Sequence, residues 1–121
     1  MPTLLIVDDS ALVRATLRFW LGNDSGWQIC GEAENGQMAV EKVRELKPDA
    51  VLLDFAMPVM NGLEAARQIR VIAPKTAMVM FTLHNCRQLL NEAHAAGISD
   101  IVSKSEPRRD LLIAALRQAC V

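Results

Sequence analysis

Short, unbroken apolar runs alternate along the chain with longer stretches in which apolar residues recur at every third or fourth position. A run without polar interruptions predicts a strand buried on both faces, the mark of a parallel sheet, whereas the longer spacing predicts an amphipathic helix. The first run, Thr3 to Val7, leads to a helix from about Ser10 to Gly22, with Ser10 as N-cap and Val13, Leu17, Trp20 and Leu21 as its stripe. Asn23-Asp24-Ser25-Gly26 is a turn signal, and Trp27 to Gly31 is a weaker strand. Asn35-Gly36 opens a second helix carrying Met38, Val43 and Leu46, which Lys47-Pro48-Asp49 ends before the strand Ala50 to Leu53. Asn61 and Glu64 have capping-box spacing ahead of a helix with Leu63, Ala66 and Ile69. Ala73-Pro74-Lys75 breaks the chain before a fourth strand, Thr76 to Phe81, and a helix from about Cys86 to Ala96 that stops at Gly97. Ile98 to Val102 is a short fifth strand, and Ser105-Glu106-Pro107 starts the last helix, with Leu111, Leu112, Ala115 and Leu116 inward.

Five strand–helix units of this length imply an α/β fold with helices on both faces of an open parallel sheet. The expected architecture is a flavodoxin-like (βα)5 three-layer sandwich with strand order 2-1-3-4-5, which sets strands one and three side by side at the switch point. Asp8 and Asp9 follow the first of these strands and Asp54 the other, so three carboxylates meet in the crevice where open α/β sheets bind ligands. Two carboxylates about 4 Å apart repel by roughly 4 kcal/mol at an effective dielectric of 20. Such a trio calls for a cation, and hard oxygen ligands with open positions suit Mg²⁺. Thr82 after strand four and Lys104 after strand five add a hydroxyl and an ammonium to the same rim, donors of the kind phosphoryl oxygens need. A carboxylate facing a metal-bound phosphoryl donor can act as nucleophile and form an acyl phosphate.

The rest of the composition narrows the setting. The 121 residues fit one domain, 1–121, and half of them are apolar, with only two Trp, three Phe and no Tyr, so the core is aliphatic. A net charge of −1 with both signs interspersed gives no basic footprint for nucleic acid or an anionic membrane. Cys30, Cys86 and Cys120 are odd in number and widely spaced, which points to free thiols in a reducing cytoplasm rather than to disulfides or a zinc site. The start of the chain lacks a basic, apolar leader, and no apolar stretch reaches the roughly 20 residues that span a bilayer.

The order Asp8-Asp9, then Asp54-Phe55-Ala56-Met57-Pro58-Val59-Met60-Asn61-Gly62, then Thr82, then Lys104 resembles the receiver domain of two-component response regulators. The resemblance covers the whole chain, and Asp54-x-x-Met57-Pro58-x-x-x-Gly62 is its most specific segment. Val7-Asp8-Asp9-Ser10 and Phe81-Thr82-Leu83-His84 look most like receivers that precede a LuxR-type helix-turn-helix. The resemblance implies that Asp54 is a phosphoacceptor. Asp9 would ligate Mg²⁺ directly, Asp8 mainly through water, and Ala56 through its backbone carbonyl. Thr82 would move onto the phosphoryl group, Lys104 would pair with it, and Gly62 would allow a tight start to helix three. A sensor histidine kinase or a small acyl phosphate would be the donor, and the domain would catalyse only its own phosphorylation and dephosphorylation. A homodimer or an output domain would receive the signal, with no direct nucleic-acid binding by this domain. Two positions depart from common family patterns: Ile101 stands where an aromatic is usual, and Ser105 follows the lysine in place of proline; Ala56 and His84 occupy positions that tune dephosphorylation in the family.

Each residue has a plainer reading. A single Asp after a strand is usually a cap or turn former, and a lone Lys104 or Thr82 is usually a solvated lysine or a strand-end hydroxyl. Five in register reverse those odds. His84 and His94 read as surface residues, and Phe19, Trp20 and Trp27 as packing groups. Arg108 and Arg109, in the first turn of the last helix, read as a solvated pair, and Leu89, Leu90 and the stripe of the last helix as candidates for a signalling surface, most of which must also cover the sheet. A Mg²⁺-dependent phosphatase would want an acid two residues after Asp8, where Ser10 stands, and a flavin or nucleotide binder would want a Ser/Thr/Gly loop where the two acids stand. A receiver used purely for interaction would not need the intact set of five.

Overall fold

A computed structural model of the chain describes residues 1–22, 26–84 and 86–120, so the turn at residues 23–25 lies outside the described part. Five parallel strands, β1 (Thr3–Val7), β2 (Gln28–Ala33), β3 (Ala50–Leu53), β4 (Ala77–Thr82) and β5 (Asp100–Ser103), stand in the order β2-β1-β3-β4-β5. The helices are α1 (Ala11–Gly22), α2 (Gly36–Leu46), α3 (Gly62–Ile72), α4 (Arg87–Ala95) and α5 (Arg109–Ala119). The three inner strands are apolar on both faces because both faces are covered. Leu5, Val7, Val51, Leu53, Met78 and Met80 point to the side of α2, α3 and α4, while Leu4, Ile6, Leu52, Val79 and Phe81 point to that of α1 and α5. This alternation is the two-residue period of a pleated strand.

Local chemistry sets the helix ends. Ser10 caps α1 by accepting the Val13 N–H at 3.3 Å, and Asn35 and Asn61 cap α2 and α3 by accepting from Met38 and Glu64, each at 2.9 Å. The expected reciprocal arm of a capping box gives way to contacts along the helix, since the Glu64 carboxylate faces Gln68 and Arg67. After α4 the chain reverses at Gly97 with φ +97°, a conformation that glycine adopts without penalty. Ile98, expected in the fifth strand, is buried ahead of β5.

Helix α5 begins later than the sequence suggests. Ser105 turns back on Ser103, its N–H donating to the Ser103 hydroxyl at 3.1 Å, and Arg108 is the N-cap residue. Leu111, expected inward, is 44 % exposed, and Ile113 is buried in its place. The two arginines are not a solvated pair. Arg108 faces Asp110 at 2.6 Å, an exposed contact of little energetic worth. Arg109 donates to the Trp20 carbonyl at 2.8 Å, placing a cation on the last turn of α1, where the helix dipole favours it. Trp27 is buried as expected, but Phe19 is 71 % exposed, and Leu89 lies in the core, where it covers the sheet. His84 and His94 are exposed.

Candidate functional site

Strand register alone brings the acids together. Val7 pairs with Leu53 across β1 and β3, so the next residues, Asp8 and Asp54, leave the sheet side by side. Backbone bonds extend the ladder by one step: the Asp8 N–H donates to the Ala33 carbonyl at 3.0 Å and the Asp54 N–H to the Val7 carbonyl at 3.1 Å. On the other side Thr82 pairs with Ser103, and the Lys104 N–H donates to the Thr82 carbonyl at 2.9 Å. Asp8, Asp54 and Thr82 are buried, whereas Asp9 is exposed.

One carboxylate oxygen from each of Asp8, Asp9 and Asp54 lies within 4.8 Å of the others, close enough for a single cation. The cation that the protein itself supplies is Lys104. Its Nζ donates to Asp8 Oδ2 at 2.6 Å and to Asp54 Oδ2 at 2.9 Å, and lies 5.7 Å from the centre of the Phe81 ring. The remaining oxygens are held by backbone: Asp8 Oδ1 accepts the Ser10 N–H at 2.9 Å and Asp54 Oδ1 the Phe55 N–H at 2.7 Å. Burial raises the Asp8 carboxyl above its ordinary value, against the opposing pull of its bonds from Lys104 and Ser10. Burial works to lower the Lys104 ammonium, but its bonds to Asp8 and Asp54 outweigh this and raise it. This bridging role is invisible in the sequence, where Lys104 reads only as a partner for a phosphoryl group.

Thr82 is tied into its own turn. Its hydroxyl accepts the His84 N–H at 3.2 Å and lies 3.5 Å from His84 Nδ1, and the His84 ring meets the Phe55 ring edge-on, with centroids 5.4 Å apart. Ala56 lies exposed two residues beyond Asp54.

The loop after Asp54 carries two further constraints. A Cβ on Gly62 would sit 2.0 Å from the Asp54 carbonyl oxygen, so glycine is required by close approach and not by a positive φ. Val59 holds φ +69° at 81 % exposure, a conformation that costs an L-residue about 1–2 kcal/mol, most of all a β-branched one. Val59→Gly is therefore expected to stabilise the protein by about 1 kcal/mol despite the extra freedom glycine gives the unfolded chain, read as a higher urea midpoint.

A family model described as the response regulator receiver domain matches residues 4–117. The chain belongs to the response regulator receiver family. The receiver is 40 % identical over 101 residues to the chemotaxis protein CheY of Thermotoga maritima, an alignment covering 84 % of this chain and 83 % of that protein. It is 39 % identical over 109 residues to a protein-glutamate methylesterase/protein-glutamine glutaminase of Methanosarcina acetivorans, covering 88 % of the receiver but only 31 % of that longer protein. Among solved structures, the receiver superposes on a two-component response regulator of the LuxR family from Aurantimonas sp. SI85-9A1. The TM-score is 0.91 at 30 % identity, over 98 % of this chain and 84 % of that one. The fold and the two-component signalling role expected from the sequence thus hold. No helix among the receiver's described residues is long and apolar enough to cross a membrane.

Proposed function

We propose that Asp54 accepts a phosphoryl group, from a sensor histidine kinase or a small acyl phosphate, and that the resulting charge change switches an output surface. The observation that carries this reading is the Asp54 carboxylate itself: buried, at the end of the central strand, within metal-bridging distance of Asp8 and Asp9 and 2.9 Å from the Lys104 ammonium. In the transfer, an Asp54 oxygen forms a bond to phosphorus as the bond from phosphorus to the donor's leaving group breaks.

The donor set fits Mg²⁺. Three carboxylates and one ammonium sum to −2, which one divalent ion neutralises, and all the ligands are hard oxygens. Asp8, Asp9 and Asp54, with the Ala56 carbonyl, would hold the ion, which when bound offsets the charge of the phosphoryl oxygens. Lys104 is already charged and close, so it can transfer its bond from the Asp54 carboxylate to a phosphoryl oxygen without titrating. Thr82 accepts from His84 and so retains its own hydroxyl hydrogen for an acceptor at the phosphoryl group. The domain turns over no substrate beyond its own phosphorylation and dephosphorylation, and the cytoplasm is the setting this reading requires.

Intact-protein mass after incubation with acetyl phosphate tests the assignment. A gain of one phosphoryl group that needs Mg²⁺ and disappears in Asp54→Asn is the expected result. Failure of the native protein both to gain that mass and to bind beryllofluoride would overturn it.

A further inference from the structure

Of the three acids Asp9 is the exposed one, and its backbone aims it. Asp9 follows Asp8 through a single planar peptide unit, so the direction of the Asp8 carbonyl fixes the plane from which Asp9 emerges. That carbonyl has a specific donor: Arg14 Nη1, one turn into α1, at 2.6 Å. Arg14 is itself anchored, with its Nε donating to Glu32 Oε1 on β2 at 3.0 Å. The other Glu32 oxygen accepts from Arg18 Nε at 2.9 Å and Nη2 at 2.6 Å. The Asp8 N–H meanwhile donates to the carbonyl of Ala33, the residue after Glu32. Both polar groups of the Asp8 backbone are thus referred to the same two residues of β2, one directly and one through Arg14.

Burial separates the two arginines. The Arg14 side chain is 17 % exposed and that of Arg18 is 50 % exposed. Glu32 needs only one of them for charge balance, and together they hold its carboxyl below the ordinary range although burial acts in the opposite direction. Arg14 alone extends beyond the ion pair to the acid-bearing turn. A guanidinium suits this task because its fork offers separate N–H groups in fixed directions, one to a carboxylate and one to a carbonyl.

We infer that Arg14 is a positioning residue for the acidic site, orienting the Asp8–Asp9 peptide through the Asp8 carbonyl, and that Mg²⁺ affinity depends on it. The inference rests on the proposed metal-dependent receiver function. Outer contacts of this kind typically change metal affinity by 10- to 100-fold when removed.

The test is calorimetric titration of Mg²⁺ into the native protein, Arg14→Met, Arg14→Lys and Arg18→Met, with a urea unfolding curve for each. Arg14→Met is expected to bind Mg²⁺ about tenfold more weakly. Arg14→Lys keeps the charge opposite Glu32 but not the second directed donor, so it is expected to retain stability and still lose metal affinity. Arg18→Met removes the exposed half of the pair and should leave Mg²⁺ affinity within about twofold of native. Native affinity in both Arg14 variants would overturn the inference, as would an equal loss in Arg18→Met, which would mean general loosening between α1 and β2. Absence of Mg²⁺ binding by the native protein would instead remove the metal reading on which the inference rests.

Discussion

Gly62→Ala is expected to remove about 3 kcal/mol of stability and to abolish Mg²⁺-dependent phosphorylation together. The added methyl would fall 2.0 Å from the Asp54 carbonyl oxygen, 3.0 Å from its carbonyl carbon and 3.1 Å from Phe55 Cα. All three are backbone atoms, so no rotamer change can relieve the overlap. The Gly62 N–H donates to the Phe55 carbonyl at 2.8 Å, which ties the start of α3 to the acceptor loop. Separating the two segments would stretch that bond and move the Asp54 peptide. Overpacking of a rigid site costs about 1–3 kcal/mol, and backbone on both sides puts this case at the top of that range. A protein of this size has roughly 5–15 kcal/mol to lose. Urea unfolding and intact mass check the two halves of the expectation, and a near-native midpoint would contradict the first.

Lys104→Ala is expected to make stability strongly dependent on divalent cation. Without the ammonium, Asp8 and Asp54 face one another in a buried site with no counter-charge. Removing one partner of a buried ion pair costs about 3–5 kcal/mol. Mg²⁺ should restore much of this loss, and the variant should bind Mg²⁺ at least as tightly as the native protein, because the competing cation has gone. Unfolding curves in chelator and in Mg²⁺ measure both effects; equal losses in the two conditions would contradict the compensation.

The same site contributes to the alkaline behaviour of the metal-free native protein. Lys104 titrates above its ordinary value of 10.5, so its contribution is complete below that pH and is lost as the pH rises through the higher folded value. Asp8 acts at the other end of the scale. Its raised carboxyl imposes no cost below 3.8 and a growing one as the pH rises from there through its folded value. Glu32, held low against burial by Arg18 and Arg14, contributes fully above 4.5 and loses its contribution as the pH falls through its lowered folded value. Burial also raises the Cys30 and Cys120 thiols, which adds a cost above 9.0, so a pH series of unfolding midpoints should show an alkaline decline that is smaller in Lys104→Ala than in the native protein.

Strand order and the meeting of Asp8 with Asp54 were legible in the sequence because both follow from buried, apolar strands and the handedness of their connections. The start of α5 differs from the sequence expectation. Ser105-Glu106-Pro107 carries the composition of a helix start, but Ser105 uses its N–H on the Ser103 hydroxyl and the helix waits for Arg109. Capping-type residues favour turns as readily as caps, and only tertiary context decides between them. The Lys104 bridge and the Arg14 contact are not legible for a different reason, whereas the tight approach at Gly62 follows from the Asp54-to-Gly62 segment. The bridge and the contact each depend on the distance between atoms of separate elements, which no local pattern encodes.

The ion pair between Lys104 and Asp8 joins residues 96 positions apart, and that with Asp54 spans 50. Synthesis therefore delivers both acids long before their counter-ion, and the loop that the pair closes takes in most of the chain. Contacts of such long separation form late, since the entropy of closing the loop must be met first. A nascent chain that has not yet reached Lys104 would carry the Asp54 carboxylate without the ammonium that faces it. Charge balance at Asp54 is thereby coupled to synthesis of the segment that carries Lys104.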